Sequence, residues 1–254
     1  MSASPAVGIT GHESELAGQT VVVIGGSAGI GLETARLARA AGAKVILTAR
    51  HPDSLKQAAD EVGAEVTAAF DATDWPALGR FFGSLPDQID QVMVTGPGPY
   101  YAPLAELDRD QAHRDFDHHL WLAVAVAQHA VGRVRPGGTL LFMGGTGGRS
   151  RGPGLSLIAA GTAALPALIA NLAVEVAPIR VNLIAAGFVD TPLSATLLGD
   201  DLEERRNRLR ATLPVARVVG PADIAALAVH IMTNTAVTGA TYDIDGGQQL
   251  VRSG

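Results

Sequence analysis

TVVVIGGSAGIGLETARLARAAGAKVILTAR, residues 20–50, decides the fold. An apolar, β-branched run (20–25) passes through a glycine-rich turn into an alanine-rich segment of helical period (30–41). A second apolar run follows at 44–49. Neither run alternates polar with apolar residues, so each reads as a strand covered on both faces, as in a parallel sheet between helix layers.

Working outward, the same alternation repeats. A helix is expected over 52–62, a strand at AEVTAAF (64–70), and a helix over 74–84 with Pro76 in its first turn. IDQVMVT (89–95) is the fourth strand, followed by one long helix over 110–134 and a strand at GTLLFM (138–143). A helix over 155–176, the strand IRVNLIA (179–185), a polar helical excursion at 192–213, a helix over 221–232 and the strand ATYDI (240–244) complete the chain. The pattern predicts a doubly wound, Rossmann-type α/β fold of about seven parallel strands with helices on both faces. No linker or shift in composition divides 19–254, which reads as a single dinucleotide-binding domain behind a flexible arm at 1–18.

The bulk properties narrow the function. Hydrophobic residues make up 47% and charged residues 17% of the 254, a composition that folds. The formal charge of −6 carries no electrostatic footprint for nucleic acid. With no cysteine, disulfides, thiol nucleophiles and thiolate metal sites are excluded, and nothing resembles an HExxH metal motif. The first 18 residues lack a basic start and an apolar block, so no signal peptide is expected. No stretch approaches about 18 uninterrupted apolar residues, so no membrane span is expected either. A cytoplasmic protein is the resulting expectation.

The turn GGSAGIG (25–31) is where chemistry enters. Gly25, Gly29 and Gly31 suit a sharp turn, a close backbone approach to a pyrophosphate, and tight helix–strand packing. With Ser27, Ala28 and Ile30 they present the helix N-terminus, its free N–H groups and positive dipole, to phosphate. At the end of the second strand, where an acidic residue would hold the ribose 2′-OH of NAD, stand Ala49 and Arg50. An arginine can pair with the 2′-phosphate of NADP(H), although a solvated strand-end charge would look the same.

Beyond this loop, the chain from Ala17 to Val251 resembles the short-chain dehydrogenase/reductase family. The resemblance rests on GGSAGIG (25–31), DATD (71–74), IRVNLIAAGFVDTP (179–192), GPADIA (220–225) and TGATYDIDGG (238–247). It implies Asp71 and Ala72 at the adenine, Gly96 among the cofactor contacts, and Gly187, Val189 and Thr191 beside the nicotinamide carboxamide. It also implies a homodimer or homotetramer through the long helices.

The catalytic positions depart from the family. Aligned with its tyrosine, the lysine four residues later, its serine and its asparagine are Ile158, Thr162, Gly145 and His119. The only lysines are Lys44 and Lys56, and neither follows a tyrosine by four. The segment usual after the fourth strand reads Thr95-Gly96-Pro97-Gly98. Pro166 falls inside the active-site helix, where it removes one backbone hydrogen bond.

Replacement groups must come from the carboxyl ends of the strands. Tyr101, beside Tyr100, and His119 are the leading pair for a displaced proton donor; aromatic lining and a structural histidine are the plainer alternatives. His118 points elsewhere on its helix. Arg149 and Arg151 would meet an anionic substrate or simply stay solvated, while Thr146 and Ser156 offer generic hydroxyls. Three functions remain open: an NADP(H)-dependent oxidoreductase of a small carbonyl-like substrate with a non-standard proton donor, a catalytically inactive NADP(H)-binding sensor or structural partner, and a non-redox lyase or isomerase.

Overall fold

A computed structural model of the chain describes residues 15–96, 98–149 and 151–251. Its sheet has seven parallel strands: β1 (Thr20–Ile24), β2 (Lys44–Ala49), β3 (Val66–Ala69), β4 (Ile89–Val94), β5 (Val134–Gly145), β6 (Arg180–Ala186) and β7 (Thr241–Ile244). Their order is β3-β2-β1-β4-β5-β6-β7. The switch in strand order therefore falls between β1 and β4, where such sheets open a crevice for ligands.

The helices are α1 (Gly29–Ala40), α2 (Pro52–Val62), α3 (Trp75–Ser84), α4 (Arg109–Phe116), α5 (Leu122–Ala130), α6 (Ser156–Glu175), α7 (Pro192–Leu198), α8 (Leu202–Thr212) and α9 (Pro221–Thr233). Small residues let α1 and α9 lie close over one face, where Ala35, Ala38, Ile224 and Ala228 join Val21, Val23, Val45 and Leu47. On the other face α3, α5 and α6 bring Phe81, Val126, Leu165 and Ile169 against Val22, Val92 and Leu140. Each such side chain contributes about 1.5–3 kcal/mol on burial. The charged Arg180 within apolar β6 is explained by its partners. Its guanidinium donates to the carbonyls of Ile231, Met232 and Asn234, capping the C-terminal end of α9 with positive charge.

Three expectations change. The third strand is shorter than 64–70, and Val66 is half exposed because β3 is an edge strand with one neighbour. The helix expected over 110–134 ends at Ala130 and is interrupted: Asp117–Trp121 form a π turn, with the Leu122 N–H donating to the Asp117 carbonyl five residues back. The fifth strand begins at Val134 rather than 138 and pairs with β4 across a register shift between Ile89 and Gln91. Of the arm at 1–18, residues 1–14 lie outside the described residues, and Leu16 is fully buried with its N–H donating to the Ala41 carbonyl. The excursion 192–213 is the pair α7 and α8, with Thr191 capping α7 through Ser194.

Among the described residues one helix, α6, is long and apolar enough to cross a membrane by length and composition, although Gly161, Thr162, Pro166 and Asn171 interrupt its apolar run. In the fold it lies on the sheet, with Ile158, Leu165, Ile169 and Leu172 buried. Pro166 does not break it.

Candidate active site

The crevice at the β1/β4 switch is a cleft of about 290 Å³. It gathers Gly25, Ser27, Ala28, Gly29, Ile30, Gly31, Arg50, Asp71, Ala72, Gly96 and Thr191. Two of the glycines are constrained for different reasons. Gly29 opens α1 at φ +54°, a left-handed conformation that β-branched residues avoid. A Cβ on Gly31 would overlap the carbonyl oxygen of Gly25, so the helix can approach the strand only without one. That backbone cradle, open to the N-terminus of α1, fits a pyrophosphate.

Thr95, which stands where the family segment differs, ties the end of β4 to this loop. Its hydroxyl lies 3.1 Å from the Ile24 carbonyl oxygen and 3.0 Å from that of Gly25. Arg50 is exposed at the rim with no ion-pair partner among the described residues. Burial alone would raise the pKa of Asp71, but hydrogen bonds from the Thr73 N–H and hydroxyl, helped by the charges of Arg50 and His118, hold it below the ordinary value. The carboxylate is thus a fixed acceptor on the cleft wall.

The cleft corrects the reading of the histidines. His118, expected to point away, lines the cavity, and burial depresses its pKa despite the opposing charge of Asp71. His119 does not line it. Its Nδ1 lies 2.8 Å from the Asp115 carbonyl oxygen and 3.5 Å from that residue's buried carboxylate, with only 12% of the side chain exposed. Asp115 also accepts from the Tyr100 N–H at 3.1 Å. Tyr101 is half exposed outside the cavity; partial burial raises its pKa, Arg205 opposing and Asp115 adding to the shift. Gly187 and Val189 also stand outside the lining. A Cβ on Gly187 would sit 2.6 Å from the Asp245 Cβ, and Val189 is buried in a bridge to Val219.

At the corner of β5 and α6, the positions aligned with the family's catalytic residues are packed together. Ile158 and Thr162 are buried, and the Thr162 hydroxyl donates to the Ile158 carbonyl at 2.6 Å. A Cβ on Gly145 would touch Thr162 at 3.5 Å. The loop beyond leans on the same helix, since a Cβ on Gly148 would be 3.0 Å from the Ala163 nitrogen. Thr146 is buried, whereas Ser156 is exposed. Arg149 is not available to a substrate: it pairs with Asp243 and Gln249, while Arg151 donates to the Gly148 carbonyl.

A parallel sheet of this order, with a glycine cradle at the switch and the matching strand-end motifs, defines a dinucleotide-binding oxidoreductase fold. The chain belongs to the short-chain dehydrogenase/reductase family, whose members use nicotinamide cofactors. A family model described as enoyl-(acyl carrier protein) reductase matches residues 25–249. The short-chain dehydrogenase/reductase malC of Malbranchea aurantiaca is 27% identical over 255 residues, covering 92% of this chain and 96% of that protein. Its solved structure, described as a reductase/Diels-Alderase, superposes with a TM-score of 0.86 over 95% of this chain and all of that one. The 1-deoxy-11-beta-hydroxypentalenate dehydrogenase of Streptomyces avermitilis is 35% identical over 195 residues, 70% of this chain and 72% of that one. A small-chain dehydrogenase solved in complex with NADPH is 28% identical, with a TM-score of 0.79 over 92% of this chain and 99% of that one.

Proposed function

We propose that the protein is an NADP(H)-dependent oxidoreductase acting on a small carbonyl compound with a proton donor other than the family's tyrosine. The observation that carries the reading is Arg50, a cation without an ion-pair partner among the described residues, at the rim of a preformed dinucleotide cleft where a 2′-phosphate would give it one. The similarity to a chain solved with NADPH supports the same cofactor. In this reading the glycine loop and the N-terminus of α1 hold the pyrophosphate. Asp71, Ala72 and His118 border the adenine, and Thr191 closes over the nicotinamide half.

When bound, the nicotinamide supplies hydride to the substrate carbon. The chain must then deliver a proton to the substrate oxygen. The two expected donors are His119, which Asp115 holds at Nδ1, and Tyr101; neither lines the cleft, so the substrate oxygen would have to reach beyond it to meet either. Tyr101 stands further out, at the mouth. The protein acts in the cytoplasm as a homodimer or homotetramer through α5 and α6, beside which Trp121, Val131 and Val174 stand exposed; light scattering showing a monomer at micromolar concentration removes that assembly.

A second reading is non-redox chemistry on the same scaffold. The side-chain packing of Gly145, Ile158 and Thr162 favours it, as does similarity to a protein described as both a reductase and a Diels-Alderase. The test is to follow NADPH oxidation across a panel of ketones, quinones and imines. Turnover of at least one supports the oxidoreductase; no oxidation, with NADPH still bound, moves the assignment to a cofactor-bound binder or a non-redox catalyst.

A further inference from the structure

Three segments meet at the mouth of the site. The chain after β4 touches α7, since a Cβ on Gly98 would lie 3.1 Å from Leu193 Cδ1. The chain after β5 touches the same segment from the other side, with a Cβ on Gly154 falling 3.6 Å from the Ala102 carbonyl carbon. The excursion α7–α8 reaches back to the end of β6. There the guanidinium of Arg205 sits over Phe188, its central carbon 5.7 Å from the ring centroid. Phe188 is itself anchored, its N–H donating to Gln248 Oε1 at 2.9 Å.

Arg205 differs from Arg206 and Arg210 on α8, which are paired, and from Arg208, which is unpaired among the described residues but exposed. Arg206 forms a bidentate pair with Asp190, at 2.9 and 2.7 Å, and reaches Glu203; Arg210 also takes Glu203. Those carboxylates are therefore engaged, and no carboxylate among the described residues pairs with Arg205. It is half-buried. Burial and the nearby charge of Arg208 push its pKa down, while the Tyr101 phenol lies close enough to oppose the shift. Removing a cation from water without supplying a counter-ion costs free energy, and the ring of Phe188 returns only part of it. Of the arginines around it on α8, Arg206 and Arg210 are already neutralised by Asp190 and Glu203.

We propose that Arg205, stacked on Phe188 and assisted by the Tyr101 hydroxyl, binds the carboxylate of an acidic substrate at the mouth of the cleft. The planar fork of guanidinium donors matches a carboxylate bidentately. The stacking fixes that fork in one plane, so the anion also orients the rest of the substrate inward. The inference rests on the oxidoreductase reading only for where the reacting carbon lies; recognition of the anion does not require turnover.

The experiment is calorimetric titration of the NADP⁺-saturated protein with 4-oxocyclohexanecarboxylate and with its methyl ester. The acid is expected to bind at least ~10-fold more tightly. Arg205→Gln is expected to abolish that preference, Arg205→Lys to restore part of it, and both to keep NADPH affinity within about twofold of wild type. Equal affinities for acid and ester in the wild type, or an unchanged preference in Arg205→Gln, overturns the assignment. Loss of NADPH binding in Arg205→Gln overturns it too, since Arg205 would then support the cofactor cleft. Because the readout is binding, failure to oxidise NADPH counts against the oxidoreductase reading alone.

Discussion

Two corners of the sheet's carboxyl edge are built from different materials. At β1–α1 the groups offered to a ligand are backbone N–H groups, and their quality depends on space and on φ. At β5–α6 the family's chemistry would come from side chains, and Gly145, Ile158 and Thr162 have filled those positions with packing. A backbone site survives most substitutions around it. A side-chain site is lost with its residues, while the scaffold that held them persists. On the proposed reading, a cofactor half of this kind stays intact while a side-chain half is remade.

The largest effect should come from filling the backbone site. Gly31→Val places a branched side chain against the Gly25 carbonyl, and NADPH affinity should fall by at least ~100-fold in a fluorescence titration. Gly29→Val should also abolish binding, because its φ of +54° is strained for a β-branched residue. If either variant folds and binds normally, the cradle is not a phosphate site and the contrast between the corners collapses.

The proposed displaced donors are tested next. His119→Ala should lower kcat by about 10²-fold or more with NADPH affinity intact, the loss typical of a general acid. Tyr101→Phe should act mainly on KM, as a group at the mouth rather than at the reacting atoms. Unchanged kcat in both variants would remove the pair from the mechanism.

Arg50→Ala sharpens the contrast at the cofactor end. Wild-type protein should bind NADPH at least ~10-fold more tightly than NADH, about 1.4 kcal/mol. The variant should lose that preference while NADH binding stays almost constant. Superimposable wild-type titrations with the two cofactors would sink the NADP(H) assignment.

The smallest effect is with pH. The folded protein holds His118 below its ordinary pKa of 6.5, so the unfolded chain binds its proton more readily. That share of stability is present above about pH 6.5 and lost as pH falls through the depressed value. The thermal midpoint should therefore drop between about pH 7 and pH 5, and His118→Gln should flatten the slope. An identical slope in the variant would show that His118 stays solvated, away from the cleft.

The sequence carried more of the first corner than of the second for a physical reason. Constraints on backbone space and φ leave glycines at fixed spacing, so Gly25, Gly29 and Gly31 are readable from the order of residues alone. The alternation of apolar runs is equally plain, and the seven strands follow from it. Which charge is free is a different kind of fact. Arg149 looked available, yet Asp243, 94 residues later, takes it. Arg205 lies among Arg206, Arg208 and Arg210 on one polar helix, and nothing in their spacing tells which lacks a partner. The histidines failed for a local reason: period-3.6 reasoning assumes an uninterrupted α-helix, and Asp117–Trp121 is not one.

That π turn behaves as a one-residue insertion held in place by its surroundings. Each residue added to a helix turns everything beyond it by about 100°, so α4 and α5 are out of phase with the single helix their sequence suggests. The adjacent histidines, about 100° apart on any helix, serve different neighbours here, His118 the cleft and His119 the buried Asp115. Deleting any one residue between 117 and 121 would let the hydrogen-bond ladder close as ordinary α-helix. Because the loop before Arg109 would have to absorb the rotation, such a deletion should disturb the site more than any exchange of side chains within the segment. The turn is thus a point where length, rather than composition, sets the chemistry available to this chain.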